Sequence, residues 1–119
     1  LLTICNSNNI QLSVFINPKK KIIEIAKSLG FHAVELHTGP LDREKVNKLD
    51  IKKINEMINY SYKKNLIVNI GHGLNFSNIK YIKNRNKVDT VHIGHFIISE
   101  AIFLSLPKVI KIFKNLIKL

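Results

Sequence analysis

Short apolar runs alternate along the chain with longer segments whose apolar residues recur every three or four positions. The short runs are typical of buried strands and cover residues 12–16, 33–37, 66–70 and 88–93. The longer segments predict amphipathic helices over residues 20–29, 50–65 and 96–119, the last interrupted near Pro107, and a short helix over residues 77–83. The predicted order of elements is therefore βαβαβαβα.

Two of the predicted helices carry signals at their ends. Gly30 directly follows the apolar stripe that ends at Leu29, which is the usual position of a glycine that closes a helix. Asp50 precedes the stripe of the central helix, so we expect its side chain to be the N-cap.

Alternating strands and helices indicate an α/β fold with a parallel sheet, because parallel neighbours need a long connection that a helix supplies. In parallel barrels the chemistry lies at the C-terminal ends of the strands. Three of the four predicted strands end here in a polar or glycine-containing loop. The predicted fold class is a parallel (β/α) repeat of four units that forms about half of a TIM barrel.

The last two of these loops are the strongest candidates for chemistry. Gly71-His72-Gly73-Leu74 combines glycines, whose backbone amides can approach an anion closely, with an imidazole that can transfer a proton near neutral pH. Gly94-His95 precedes a predicted helix, whose N-terminus favours an oxyanion. Each stretch taken alone is also compatible with an ordinary turn that carries a surface histidine.

Glu35 lies in the middle of an apolar strand, where a carboxylate is kept only if it is paired or reached by solvent. His37 is two residues further on and points to the same side, so the two side chains are expected to share one site. A structural ion pair is the alternative interpretation of Glu35. We expect His32 and His92 at strand edges or towards the helical layer, and the spacing of the five histidines does not predict a metal site.

Composition changes this picture little. The net charge of +11 would suit a polyanion ligand, but lysine is spread along the outer stripes of successive helices, so nucleic acid is ranked last among the partners. Cys5 is the single cysteine, and the first residues lack a signal peptide's pattern, which favours a cytoplasmic protein. No stretch is long enough to span a membrane, and the start at Leu1 rather than Met suggests missing upstream residues.

Four stretches, taken in order and spacing, closely resemble the second half of the pyridoxine 5′-phosphate synthase family. They are residues 12–18 (Leu-Ser-Val-Phe-Ile-Asn-Pro), 34–39 (Val-Glu-Leu-His-Thr-Gly), 69–74 (Asn-Ile-Gly-His-Gly-Leu) and 93–95 (Ile-Gly-His). The resemblance implies that residues 11–119 form the C-terminal half of a (β/α)8 barrel. Residues 1–10 are then expected to be the end of a preceding helix or a loop.

The same resemblance implies an activity and a set of roles. The family condenses 1-deoxy-D-xylulose 5-phosphate with 3-amino-2-oxopropyl phosphate, with no cofactor or metal, and releases inorganic phosphate and water. It implies that His72 is a proton donor, that Glu35 stabilises a transition state, and that Gly73, Gly94 and His95 bind the amino-oxopropyl phosphate. The family's remaining catalytic residues belong to the half that this sequence does not contain.

Two departures accompany the resemblance. Pro40-Leu41-Asp42 replaces a continuation that contains tyrosine in the family, and Glu100 stands where a basic residue is usual. A half barrel also leaves strand edges open. We therefore expect the chain to be inactive alone and to need a complementary N-terminal half or a homo-oligomer; the alternative is a self-associating half barrel that binds phosphate without catalysis.

Overall fold

The computed structural model describes residues 2–117, and within them the chain alternates helices and strands. The helices are α1 (Leu2–Ser7), α2 (Lys20–Ser28), α3 (Lys48–Lys63), α4 (His95–Leu104) and α5 (Leu106–Ile117). The strands are β1 (Ser13–Ile16), β2 (Ala33–His37), β3 (Ile67–Gly71) and β4 (Thr90–His92). Short 3-10 turns occupy Gly39–Leu41, Ile79–Tyr81 and Arg85–Lys87.

The strands form one sheet in the order β1-β2-β3-β4, and every neighbouring pair is parallel. The predicted parallel α/β repeat is thus confirmed. The register places Phe15, Glu35, Asn69 and Thr90 in one row across the sheet. His37, Gly71 and His92 form the following row on the same face, two residues closer to the C-terminal ends of the strands.

The hydrophobic core lies between one face of the sheet and the helices. Alternate strand residues supply its inner layer and the apolar stripes of α2 and α3 supply its outer layer: Val34, Leu36, Val68, Ile70, Ile23, Ala26, Ile54 and Ile58. Each fully buried aliphatic side chain of this kind stabilises the fold by about 1.5–3 kcal/mol. We call the helix-covered side the outer face of the sheet and the opposite side the inner face.

Helix ends follow the sequence signals in one case and depart from them in another. α2 ends with a left-handed Gly30 at φ +84°, whose N–H donates to Lys27 O while Phe31 N–H donates to Ala26 O. This pair of bonds is the Schellman closure expected at that glycine. The prediction of Asp50 as N-cap is wrong: α3 begins earlier, and Asn47 Oδ1 accepts from Leu49 N at 2.9 Å.

Three predicted boundaries also change. The helix expected over 77–83 reduces to the single turn Ile79–Tyr81, since the chain there is held by side-chain bonds of Asn75 and Asn78. β4 is shorter than predicted. The final helix divides at Ser105, which has φ +69°, so that Pro107 lies in the first turn of α5; its predicted extension to Leu119 reaches outside the described residues.

The inner face of the sheet contrasts with the packed core. Ser13, Phe15, Thr90 and His92 are exposed on it, and the central residues Glu35 and His37 are half-buried. Within residues 2–117, β1 and β4 are the edge strands of the sheet. No helix in the same range is long and apolar enough to cross a membrane.

Candidate active site

A cavity of about 960 Å³ opens at the C-terminal ends of the strands, on the inner side of the sheet. Loops from three of the βα units contribute to its wall. Its lining includes all five residues predicted as site residues together with aromatic and polar neighbours: Glu35, His72, Gly73, Gly94, His95, Phe15, Asp42, Asn75, His92 and Phe96. Residues as far apart in sequence as Phe15 and Phe96 therefore meet in one open cleft.

Glu35 is held by His92, its neighbour across β3. Glu35 Oε2 lies 2.6 Å from His92 Nδ1, and the row of His92 is two residues beyond the row of Glu35 on the same face of the sheet. Gly71 stands between them, and a methyl group there would overlap Glu35 Oε1 and lie 3.1 Å from His92 Cβ. The glycine at this position leaves the space through which carboxylate and imidazole meet.

His37 joins a different partner. Its ring stacks on that of His72 with centroids 4.7 Å apart and meets the edge of Phe15 at 5.4 Å. A side chain at Gly39 would collide with the His37 ring, so this glycine makes room for the imidazole pair. Burial, and to a lesser extent the neighbouring His72 imidazole, lower the pKa of His37 below its ordinary value.

The backbone of His72 is in the left-handed region, at φ +76°, and Gly73 follows at φ +71°. A side chain other than glycine adopts this conformation at a cost of about 1–3 kcal/mol, so the surrounding structure must hold it. Thr38 does so, because its hydroxyl lies 2.7 Å from Gly71 O and 2.8 Å from His72 O. The carbonyls on both sides of the turn are thus tied to the loop after β2.

Asn78 fixes the other side of the same loop. Its buried amide group donates to Gly73 O at 2.7 Å and to Leu41 O at 3.2 Å, while its Oδ1 accepts from Asn75 N. Gly73 also packs closely on Asp42, since a Cβ at Gly73 would lie 2.7 Å from Asp42 Cβ. The stretch 40–42, where this chain departs from the family pattern, therefore supports the Gly73 loop.

Gly94 and His95 begin α4 beside this loop. Gly94 is the N-cap and no side chain of the described residues caps it, so the first N–H groups of α4 lack an intrahelical partner. Gly94, His95 and Phe96 line the cleft. Phe96 meets Phe76 of the Gly73 loop at 4.9 Å, and both pack on Phe113 of α5. This aromatic cluster fixes the two glycine loops relative to each other.

Sequence reasoning located the cleft but not its internal pairing. Of the two alternatives expected for His92, the strand edge is confirmed, because β4 is an edge strand of the sheet. The helical layer is wrong, because the side chain reaches Glu35 and lines the cleft. Glu35 and His37 do share the cleft region, but each contacts another imidazole. The sequence analysis did not predict the roles of Thr38 and Asn78. The signal that could have indicated them is a polar residue close in sequence to a glycine-containing loop.

His32 lies away from the cleft, where its Nδ1 accepts from Leu12 N at 3.2 Å. Among residues 2–117 there is no group of three side chains arranged to hold a metal ion. Asn69 carries a buried Oδ1 without a hydrogen-bond partner in the same range, in the row of Glu35.

Comparisons with known proteins identify the family of the chain. The model of the family described as pyridoxal phosphate biosynthesis protein PdxJ matches residues 1–119. The chain is 36% identical over 112 residues to pyridoxine 5′-phosphate synthase of Blochmanniella floridana, covering 92% of this chain and 45% of that protein. It is 35% identical over 118 residues to the synthase of Prochlorococcus marinus strain MIT 9515, covering 98% of this chain and 50% of that protein.

A relative from Thermodesulfovibrio yellowstonii, also named pyridoxine 5′-phosphate synthase, is 37% identical over 111 residues and is covered to 46% of its length. The chain thus spans about half the length of the curated relatives it matches, a length consistent with half of a barrel. Since the family model matches from the first residue to the last, the chain belongs to the PdxJ family of pyridoxal phosphate biosynthesis proteins.

Proposed function

We propose that this chain supplies the amino-ketone phosphate side of a pyridoxine 5′-phosphate synthase site, within an enzyme that is complete only with a second half. The reaction condenses 1-deoxy-D-xylulose 5-phosphate with 3-amino-2-oxopropyl phosphate, in the cytoplasm and without a cofactor. The observation that carries the proposal is the convergence of His72, Glu35 and the two glycine loops on one cleft.

In this proposal the phosphate of the amino ketone lies between the two glycine loops. Gly73 brings its backbone close to the ligand, and Gly94 with His95 presents the free amides and positive dipole end of α4. Phe76 and Phe96 keep these loops at a fixed separation, which suits a rigid dianion.

His72 is the proposed proton donor. Its imidazole stands in the cleft directly before Gly73, so a substrate anchored by its phosphate places its reacting carbon or oxygen within reach. The strained backbone at His72 supports this role, because such conformations persist where the surrounding structure and a function require them. Glu35 stabilises charge that develops in the transition state.

The proposal includes a partner for the open inner face and the edge strands β1 and β4. This partner is either a complementary N-terminal half or another copy of this chain. A self-associating half barrel that binds phosphate without catalysis is the second candidate. It is supported by the exposed apolar side chains Ile98, Ile102 and Phe103 of α4, which suit contact between copies.

The test is a complementation assay. The chain is co-expressed with the half of the Blochmanniella floridana synthase that it does not match, and the purified mixture is given both phosphorylated substrates. The expected result is pyridoxine 5′-phosphate and inorganic phosphate from the mixture and no product from either half alone.

The assay has one control variant and one outcome that would contradict the proposal. The mixture made with His72→Ala should assemble but form product about 10²–10⁴-fold more slowly. If the two halves form a stable complex that binds phosphate and still makes no product, the synthase proposal fails and the phosphate-binding half barrel replaces it.

A further inference from the structure

We infer that Glu35 works through His92, with the carboxylate as the positioning group and the imidazole as the group that faces the substrate. The inference rests on the proposed function for the identity of the substrate. The pairing of the two side chains, in contrast, is a property of this chain and can be tested without any turnover.

The first observation is that the contact is specific and that space is reserved for it. Glu35 Oε2 and His92 Nδ1 are 2.6 Å apart, at the short end of hydrogen-bond distances, as is usual when a charged group takes part. The residue between them on β3 is Gly71, and any larger side chain there would displace the carboxylate. β2, β3 and β4 thus contribute Glu35, Gly71 and His92, respectively, to this contact.

The second observation is the order of exposure within the pair. The side chain of Glu35 is 21% exposed, whereas that of His92 is 46% exposed and lines the cleft. The carboxylate therefore lies behind the imidazole, and His92 presents the larger surface to a ligand. His92 Nε2 makes no hydrogen bond to any residue between 2 and 117, so this nitrogen can form a hydrogen bond to a ligand.

The chemical consequence concerns the tautomer of His92. A carboxylate accepts hydrogen bonds only, so the bond places a hydrogen on His92 Nδ1 and leaves Nε2 with a free lone pair. Nε2 can then take a proton from the bound amino-ketone phosphate. The ring becomes an imidazolium whose positive charge lies beside the Glu35 carboxylate, and it returns the proton in a later step.

His37 and His72 form a separate unit of the cleft. Their ring centroids are 4.7 Å apart, and the His37 ring also meets the edge of Phe15. No hydrogen bond among the described residues joins either histidine to Glu35 or His92. The cleft therefore contains two independent proton-transfer groups, His72 after β3 and the Glu35–His92 pair between β2 and β4. A condensation in which protons are both removed and delivered can use two such proton-transfer groups.

The test reads the tautomer directly. The full chain is labelled with ¹⁵N in the histidine rings, and the ring nitrogens are observed at a pH high enough to leave His92 neutral. The expected result is the hydrogen on Nδ1 of His92. Glu35→Met, which keeps length but removes the acceptor, should move it to Nε2, whereas Glu35→Gln, whose amide oxygen still accepts, should leave it on Nδ1.

Gly71→Ala provides a matched variant in which both groups remain but the space between them is filled. It should shift the His92 tautomer as Glu35→Met does. A hydrogen on Nε2 of His92 in the unmodified chain, or a tautomer that Glu35→Met leaves unchanged, overturns the inference whatever the complementation assay shows.

The second test uses the enzyme assembled from the two halves. His92→Ala should lower kcat by about 10²–10⁴-fold with little change in KM, since the proposed phosphate ligands are Gly73, Gly94 and His95 and not the His92 side chain. Glu35→Met combined with His92→Ala should be no worse than the poorer single variant, because the two act as one unit. Full activity of His92→Ala would overturn the inference and leave the proposed function standing.

Discussion

The two faces of the sheet are built by the same strands and differ in almost every property. On β2, Val34 and Leu36 are fully buried beneath α2 and α3 on the outer face. On the inner face, Glu35 lines the cleft and His37 contacts the cleft residue His72. The outer face is apolar and closely packed. The inner face carries the charged and aromatic side chains and is open.

Alternate residues of a strand therefore have different roles: those on the outer face stabilise the fold, and those on the inner face form the cleft. Packing against helices stabilises the outer face and needs only apolar side chains of suitable volume. The inner face requires particular groups at particular rows, such as Gly71 between Glu35 and His92. Variants of the two faces should therefore separate stability from activity.

The largest effect is expected at His72. His72→Ala in the complemented enzyme should lower the rate of product formation by about 10²–10⁴-fold, because it removes the proposed proton donor. The thermal midpoint should change little. His72→Asn is the matched control for folding, since asparagine tolerates the left-handed backbone found there, and it should be equally inactive. Retained activity in either variant would contradict the assignment.

The outer face should respond in the opposite way. Ile58→Ala, at a fully buried position of α3, should lower the free energy of unfolding by about 2–5 kcal/mol through the cavity it leaves. Ile58→Val should lower it by only about 0.5–1.5 kcal/mol. Urea unfolding measures both. In the portion that remains folded, turnover per molecule should be unchanged, and a loss of turnover there would break the division between the faces.

Thr38 is buried and also holds the His72 turn of the cleft. Substitutions of Thr38 should therefore lower both stability and turnover, each by an intermediate amount. Thr38→Val keeps the shape but removes the hydroxyl bonds to Gly71 O and His72 O, which should destabilise the chain by about 1–3 kcal/mol. Turnover should fall as well, because the His72 turn loses its restraint. Thr38→Ser retains the hydroxyl and should restore both quantities; equal losses in the two variants would mean that the bonds do not hold the turn.

The smallest effect concerns pH and His37. Its pKa is lowered in the folded chain, so below the ordinary value of 6.5 the unfolded chain binds more protons than the folded chain. Stability attributable to His37 should therefore fall as the pH drops below that value and level off beneath the lowered pKa. His37→Gln should show a smaller difference in urea midpoint between about pH 8 and about pH 5. An unchanged difference would show that burial of the imidazole, with the neighbouring His72, does not disfavour protonation of His37.

Much of this organisation follows from local sequence. Short apolar runs predict the strands, and helical stripes of apolar residues predict the helices, because these residues are buried in the core. The Gly30 closure and the glycine loop around His72 follow from residues adjacent in the chain. Asn47 was missed as N-cap because Asp50 has a similar short acceptor three residues later, and either side chain suits the start of a helix.

The internal pairing of the cleft could not be predicted in the same way. Glu35 and His92 are 57 positions apart, and their contact depends on the register of three strands. Once the strands are aligned, Gly71 falls between them and the pair is evident. The row of a residue on the sheet, rather than its neighbours in sequence, decides which groups meet.

The central claim is that the strand-end loops on the inner side form a single phosphate-holding site. It is tested most directly by titrating the ¹⁵N-labelled chain with inorganic phosphate and following the backbone amides. Gly73, Gly94 and His95 should shift together with one dissociation constant, while amides of the outer layer such as Ile23 and Ala26 stay in place. Absence of a shift at these loops, or separate dissociation constants for Gly73 and His95, would contradict the account.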